Sequence, residues 1–182
     1  MKKNYFITGG TGTFGMKFAE ILIKKKLASK IVIFSRDEFK QNEMQQTNFV
    51  KKNDEKFRFF IGDVRDQDRL NYAITEDIDV IVHAAALKQV PATEYNPFEA
   101  VKTNIIGSQN IIEAASSKNI EKILFVSSDK AAAPINLYGS TKLTAERLFI
   151  AANNHKGKKR CIFSIARYGN VFGSRGSVIP LF

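Results

Sequence analysis

The 182-residue sequence contains one cysteine, Cys161. A single thiol excludes a disulfide framework and a thiolate zinc site, and it suits a reducing cytoplasm. Two histidines, His83 and His155, lie far apart and carry no metal signature; no bound metal is expected. His83 reads as a packed strand residue. No run of about 18 apolar residues occurs, so no helix is expected to span a membrane. The stretch before Gly9 is too short for a signal-peptide core. There is no repeat, low-complexity segment or interdomain linker. Acid is absent from residues 151–182, which hold six Lys or Arg, and residues 1–26 hold six Lys and one Glu. The net charge of +10 comes from these ends, because residues 27–150 hold 16 basic and 17 acidic side chains. Lys24, Lys25 and Lys26 would end the first helix, where cations complement its dipole. Lys156, Lys158, Lys159 and Arg160 fall in a glycine-containing loop. Such runs are solvated ends and loops, and without interleaved aromatics they do not form a nucleic-acid footprint.

The composition, 44% hydrophobic and 25% charged, is that of a chain that buries a core. The length suits one domain over residues 1–182. Short Val-, Ile- and Phe-rich runs read as strands at Tyr5–Thr8, Lys30–Phe34, Phe57–Ile61, Val80–His83, Ile123–Ser127 and Ile162–Arg167. Between them the period is helical. Phe14, Phe18, Ile21 and Leu22 form one stripe, and Val101, Ile105, Ser108 and Ile112 another. A further helix is expected from Asn136 to about Asn153. The pattern predicts an α/β, doubly wound parallel sheet of Rossmann type with helices on both faces. The apolar end, Val178 to Phe182, suggests the front part of a longer protein or a truncated product.

The first strand runs into Gly9-Gly10-Thr11-Gly12-Thr13-Phe14-Gly15. The Gly9, Gly12, Gly15 spacing is a relative of the dinucleotide fingerprint. One glycine permits a tight turn, one lets backbone approach a pyrophosphate, and one lets helix and strand pack closely. The anion would rest on N–H groups at the helix start. A P-loop is excluded, because Met16 separates Gly15 from Lys17 and no Ser or Thr follows. The second strand ends at Ser35-Arg36-Asp37, where an NAD enzyme usually carries an acid for the ribose 2′-hydroxyl. A guanidinium at Arg36 can pair with a 2′-phosphate, and Lys40 could add a second cation. NADP is therefore preferred over NAD, although Asp37 follows closely and both cations could be loop charges. Asp63 could accept a bond from an adenine amino group while Val64 covers the ring; alternatively Asp63 caps the helix that begins near Asp66. Ala84, Ala85 and Ala86 would let a cofactor lie near the backbone. Tyr138 and Lys142 share a helix face four residues apart. An ammonium near the phenol would favour tyrosinate, and the pair could take a proton from an alcohol as hydride leaves. The fifth strand ends at Ser128-Asp129-Lys130, on the same crevice.

These segments resemble the short-chain dehydrogenase/reductases of the extended, sugar-nucleotide-modifying kind. The nearest resemblance is to the inverting UDP-N-acetylglucosamine 4,6-dehydratases that start pseudaminic acid synthesis for flagellin glycans. It is carried by Ile7 to Gly12, Phe34 to Glu38, Phe59 to Asp66, His83 to Lys88, Glu94 to Pro97, Lys102 to Asn104, Asp129 to Ala132, Pro134 to Gly139, Arg167 to Val171 and Gly173 to Ser177. The resemblance implies that Tyr138 and Lys142 deprotonate the C4 hydroxyl of UDP-N-acetylglucosamine or a related nucleotide sugar. Lys130, neutral, would take the C5 proton; Asp129, protonated, would donate to the leaving C6 hydroxyl; Ser128 would bond the 4-oxygen, where the group usually has threonine. Lys88, Asn104, Tyr168 and Asn170 join the cofactor-binding set. A sister group carries methionine at the position of Tyr138, and membrane-anchored relatives carry helices before the glycine loop, so the soluble flagellar type is expected. The resemblance also implies a homo-oligomer packed through helices around residues 97–118 and 137–153. Family members continue into a smaller substrate domain, largely absent here, so NADP binding with little turnover is expected of this chain alone. A sugar 4-epimerase and a non-catalytic NADP-binding module are the competing readings.

Overall fold

The structure is a computed structural model, which describes residues 2–155, 157 and 161–170. Lys156, Lys158, Lys159, Arg160 and the end of the chain from Val171, including Gly173 to Ser177 and Val178 to Phe182, lie outside the described residues. Among the described residues six strands form one sheet: β1 (Lys3–Thr8), β2 (Ala28–Ser35), β3 (Phe57–Ile61), β4 (Val80–His83), β5 (Lys122–Ser128) and β6 (Ile162–Tyr168). The spatial order is β3-β2-β1-β4-β5-β6, with every neighbouring pair parallel. The order reverses between β1 and β4, so a crevice opens where their carboxyl ends diverge, the place where such sheets bind ligands.

The continuous apolar runs follow from burial on both faces. Along β2, Val32 and Phe34 enter one core while Ile31 and Ile33 enter the other; β4 divides Ile81 from Val82 in the same way. Alternate side chains on a strand point to opposite faces, so a sheet covered on both sides has no polar face to show. One core is closed by α4 (Gln67–Ala73), α7 (Gly107–Ser116) and α8 (Leu137–His155), through Leu70, Ile111 and Phe149. The other is closed by α1 (Thr13–Lys24), α2 (Glu38–Gln45) and α3 (Asn48–Lys51), through Leu22, Met44 and Val50. Each fully buried large side chain contributes roughly 1.5–3 kcal/mol. Short helices α5 (Val90–Tyr95) and α6 (Pro97–Val101) complete the layer beside α8.

Two helical stripes need revision. On α1 the buried residues are Gly15, Ala19 and Leu22, and Ile21 is exposed. Between α6 and α7 a π turn covers Lys102–Ile106. The extra residue shifts the helical phase, so Thr103, Asn104, Gly107, Ser108, Ile111 and Ile112 are buried while Val101 and Ile105 are only partly covered. The lysine run does end α1: Lys25 is its C-cap and Lys26 turns to φ +54°. At the opposite end of the sheet from the crevice, Lys3, Asn4, Lys30, Asp77 and Glu121 form a polar clasp over the strand starts.

Candidate active site

Gly9 adopts φ +64° immediately after β1 and donates its N–H to the carbonyl of Phe34 at 2.9 Å. A Cβ there would lie 2.8 Å from the backbone nitrogen of Ala85. A Cβ on Gly15 would lie 2.7 Å from the carbonyl oxygens of Gly9 and Gly10, so a glycine lets α1 settle onto its own loop. Gly12 precedes α1 in an extended conformation; no side chain caps the helix, and no acid stands in its first turn. The first N–H groups therefore face the crevice without a partner carboxylate, a cradle suited to a dinucleotide pyrophosphate. Thr11 and Thr13 edge it.

The opposite wall, Ala84 to Lys88, is fixed by a buried chain of bonds. Thr8 Oγ1 accepts from the N–H groups of Ala84 and Ala85 at 3.2 Å and lies 2.7 Å from His83 Nδ1. Ser108 Oγ donates to the Asn104 carbonyl at 2.6 Å, which leaves it to accept from His83 Nε2 at 3.2 Å. His83 thus carries its proton on Nε2 and accepts from Thr8 at Nδ1. Fully buried, it is pushed down to about 3, first by burial and then by the charge of Lys142, so the ring stays neutral. Asn104 is buried too. Its amide clasps Leu87 by both backbone groups, at 2.8 and 2.9 Å, and donates to Thr141 Oγ1 at 3.0 Å. It therefore orders the wall and α8 together. Lys88 is exposed at the rim.

At the tip of β2, Ser35 is buried and its Oγ accepts from Gln41 at 3.0 Å. Arg36 reaches outward, half exposed, with one guanidinium nitrogen 3.5 Å from Asp63. Lys40 pairs with Asp37 at 2.7 Å, and Asp37 caps α2 by accepting the Lys40 N–H at 3.0 Å. The second cation expected at the 2′-position is thus already paired. Asp63 does not cap α4; Asp66 does, accepting from the Arg69 N–H at 2.9 Å. Asp63 instead binds Arg65 through backbone N–H and guanidinium, and although burial opposes it, these bonds hold its carboxyl below the usual range. Val64 is a core residue packed over Gly107.

The residues expected to react gather where β5 meets the start of α8. Ser128 ends β5; Asp129–Ala131 form a single 3₁₀ turn. Asn136 Oδ1 accepts the Gly139 N–H at 2.9 Å, and Glu94 of α5 accepts the Leu137 N–H at 2.7 Å, so α8 starts at a fixed point beside that turn. Lys130 Nζ lies 3.1 Å from Asp129 Oδ1 and 3.2 Å from Asn170 Oδ1. Tyr168 stacks on Phe14 with centroids 6.0 Å apart, tying the end of β6 to the glycine loop. Lys142, 4% exposed, donates to the Val126 carbonyl at 2.7 Å and sits 4.3 Å from the Phe125 ring centroid. Burial pushes its ammonium down to about 7, opposed by Glu146.

Two expected charge states differ from those found. Tyr138 is raised above the usual phenol value, first by burial, with Ser128 and the charge of Lys130 opposing. The ammonium of Lys142 is drawn to Val126 instead, so it does not by itself supply tyrosinate. Asp129 is exposed, and bonds from Lys130 and Ser128 hold its carboxyl below the usual range, so it is ionised rather than protonated. Both depend on solvent exposure and partner geometry. Sequence spacing also missed Glu146. Its buried carboxylate accepts from Ser127 at 2.5 Å and from Arg167 at 2.8 and 2.6 Å. The signal available was a glutamate one turn after Lys142 on a face that otherwise reads as apolar.

A family profile described as polysaccharide biosynthesis protein matches residues 5–182. The chain is 52% identical over 180 residues to a UDP-N-acetylglucosamine 4,6-dehydratase (inverting) of Campylobacter jejuni subsp. jejuni serotype O:23/36, covering 99% of this chain and 52% of that protein. It is 44% identical over 183 residues to a UDP-glucose 4-epimerase of Rickettsia bellii, covering 99% of this chain and 52% of that one. Among solved structures, Pen from Bacillus thuringiensis superimposes with a TM-score of 0.92 at 46% identity, over 99% of this chain and 56% of that chain. The chain spans about half the length of the curated relatives it matches. With its parallel sheet of Rossmann, short-chain dehydrogenase/reductase type and a match over residues 5–182, the chain belongs to the polysaccharide biosynthesis protein family.

Proposed function

We propose that this chain is the cofactor-binding and reacting part, in residues 1–182, of an inverting UDP-N-acetylglucosamine 4,6-dehydratase that uses NADP. Its product would feed nonulosonic acid, polysaccharide or flagellin glycan synthesis in the cytoplasm. One observation carries the reading: Asp129 and Lys130 stand as a hydrogen-bonded pair at 3.1 Å on the turn against which α8 begins, beside Tyr138. A 4-epimerase uses the Tyr–Lys pair but has no elimination to perform, so it has no need of that second acid and base.

When bound, NADP would accept the hydride of C4 and return it at C6. The chain's residues divide the proton work. Tyr138, raised by burial in the free chain, would take the C4 hydroxyl proton as phenolate, a form that the positive charge of bound oxidised NADP would favour, with Ser128 bonding the same oxygen. Lys130 removes the C5 proton that the 4-ketone has made acidic, and Asp129 donates to the C6 hydroxyl as water leaves. Asp129 is ionised in the free chain, and moving one proton from Lys130 across the 3.1 Å bond would give neutral Lys130 and protonated Asp129. A sugar that excludes water from the pair favours that neutral form, since burial penalises charges. Elimination then returns the pair to its charged form. A proton from solvent delivered to C5 on the other face would invert that carbon, and Tyr138 would release the C4 hydroxyl proton to solvent.

Ala84–Ala86, Phe14 and Tyr168 would hold the cofactor, and Arg36 would meet its 2′-phosphate. A homo-oligomer would pack through the helices around residues 97–118 and 137–153, where Ile106 and Ile150 are 47% and 45% exposed. The deciding experiment gives NADP and UDP-N-acetylglucosamine to the chain alone and to a chimaera carrying the carboxyl-terminal half of the Campylobacter jejuni relative. The chimaera should form a 4-keto-6-deoxy product lighter by one water, seen by mass spectrometry and NMR; the chain alone should bind NADP with little turnover. A C4 epimer of unchanged mass would replace dehydratase with epimerase. NADP binding without any product from the chimaera would favour a non-catalytic module.

A further inference from the structure

Glu146 lies one helical turn beyond Lys142, and the two are 3% and 4% exposed. A buried carboxylate needs partners, and Glu146 has three charge-assisted or hydroxyl bonds, from Ser127 Oγ and from Arg167 Nε and Nη2. Ser127 and Arg167 are paired across β5 and β6. Ser127 follows Val126, whose carbonyl accepts from Lys142, and Arg167 precedes Tyr168, which stacks on Phe14. Helical side chains lean toward the amino terminus, so Glu146 inclines toward the turn that carries Lys142. One carboxylate therefore ties the ends of both strands to the helix of the Tyr138–Lys142 pair.

We propose that Glu146, held by Arg167, is the positioning residue for Lys142: its fixed negative charge, one helical turn away in the same buried layer, favours the ammonium that donates to the Val126 carbonyl. This deepens the dehydratase reading and rests on it for its catalytic consequence. The other titratable and charged groups around Lys142 are limited. Tyr138 shares its helix, and neutral His83 comes from β4. Arg167 and Tyr168 come from β6, and Asp129 and Lys130 from the turn after β5. On the helices and π turn packed alongside, Glu94, Glu99, Lys102 and Glu113 reach water. Glu146 is the buried anion among them, and the attraction of a buried opposite charge favours the ammonium.

The test is an NMR titration of isotopically labelled lysine side chains in the intact chain, with the Lys142 signal assigned through K142M. Wild type should titrate near 7. In E146Q the midpoint should fall by about one pH unit, and E146D should recover part of it. In R167Q the carboxylate loses its compensating cation, and the midpoint should rise. A merely structural role would lower the melting temperature of E146Q without moving the lysine midpoint. An unmoved midpoint in folded E146Q and R167Q overturns the proposal; if E146Q does not fold, R167Q alone decides, with a rise supporting it and any other result overturning it. No substrate or cofactor enters this titration, so a failed dehydratase assay leaves its outcome readable.

Discussion

Gly139 packs directly on the backbone of Lys130: a Cβ at Gly139 would collide with the Lys130 carbonyl oxygen. The first turn of α8, with Tyr138, is thereby pressed against the turn that carries Asp129 and Lys130. Backbone cannot swing aside as a flexible side chain can. Gly139→Ala should therefore destabilise the chain by roughly 1–3 kcal/mol, the usual cost of overpacking. Urea unfolding checks this, and a stability within a few tenths of a kcal/mol of wild type would contradict the packing described.

Gly9 is constrained twice, by φ +64° and by Ala85 at 2.8 Å. Gly9→Ala should cost about 1–2 kcal/mol for the left-handed backbone alone. It should also push the Ala84–Ala86 wall outward and weaken dinucleotide binding by tenfold or more, since about 1.4 kcal/mol is a factor of ten. Calorimetric titration of NADP into folded Gly9→Ala is the measurement, and undiminished affinity would remove the loop from the cofactor site.

Arg36 and Lys40 should differ, although the sequence offers both as cations for a 2′-phosphate. Lys40 is paired with Asp37 at 2.7 Å, whereas Arg36 reaches Asp63 at only 3.5 Å and is half exposed. Arg36→Ala should lower affinity for NADP about tenfold or more while leaving NAD nearly unchanged, as expected for loss of one charge-assisted contact. Lys40→Ala should change the ratio little. Equal losses for both cofactors in Arg36→Ala would return Arg36 to the solvated loop.

His83 makes stability depend on acid. Its folded value is near 3 against an ordinary 6.5, so the unfolded chain binds the proton first. Its contribution is fully present above about 6.5 and is lost as pH falls toward 3, at roughly 1 kcal/mol per pH unit. Between pH 6.5 and about 4.5, above the carboxylate range, the slope should come chiefly from this ring. His83→Asn should flatten it in urea unfolding measured across that window. A slope equal to wild type would show that the ring is not the proton-linked group.

The sequence by itself determined the six strands and the helices between them, the glycine cradle and the membership of the Tyr138–Lys142 face. Those features rest on local chemistry: period two against period 3.6, a glycine where backbone must approach backbone, residues four apart on one helix. The tertiary structure decided the charges. Tyr138 is raised and Lys142 lowered by burial, Asp129 is ionised by a neighbour in open solvent, and Lys40 is claimed by Asp37. It also decided which residues act at a distance. Glu146 meets Arg167 across 21 positions, and Asn104 reaches Leu87 from a π turn that breaks the helical phase. Desolvation and long-range partners exist only once the sheet has brought distant segments together, and a proton's free energy depends on both.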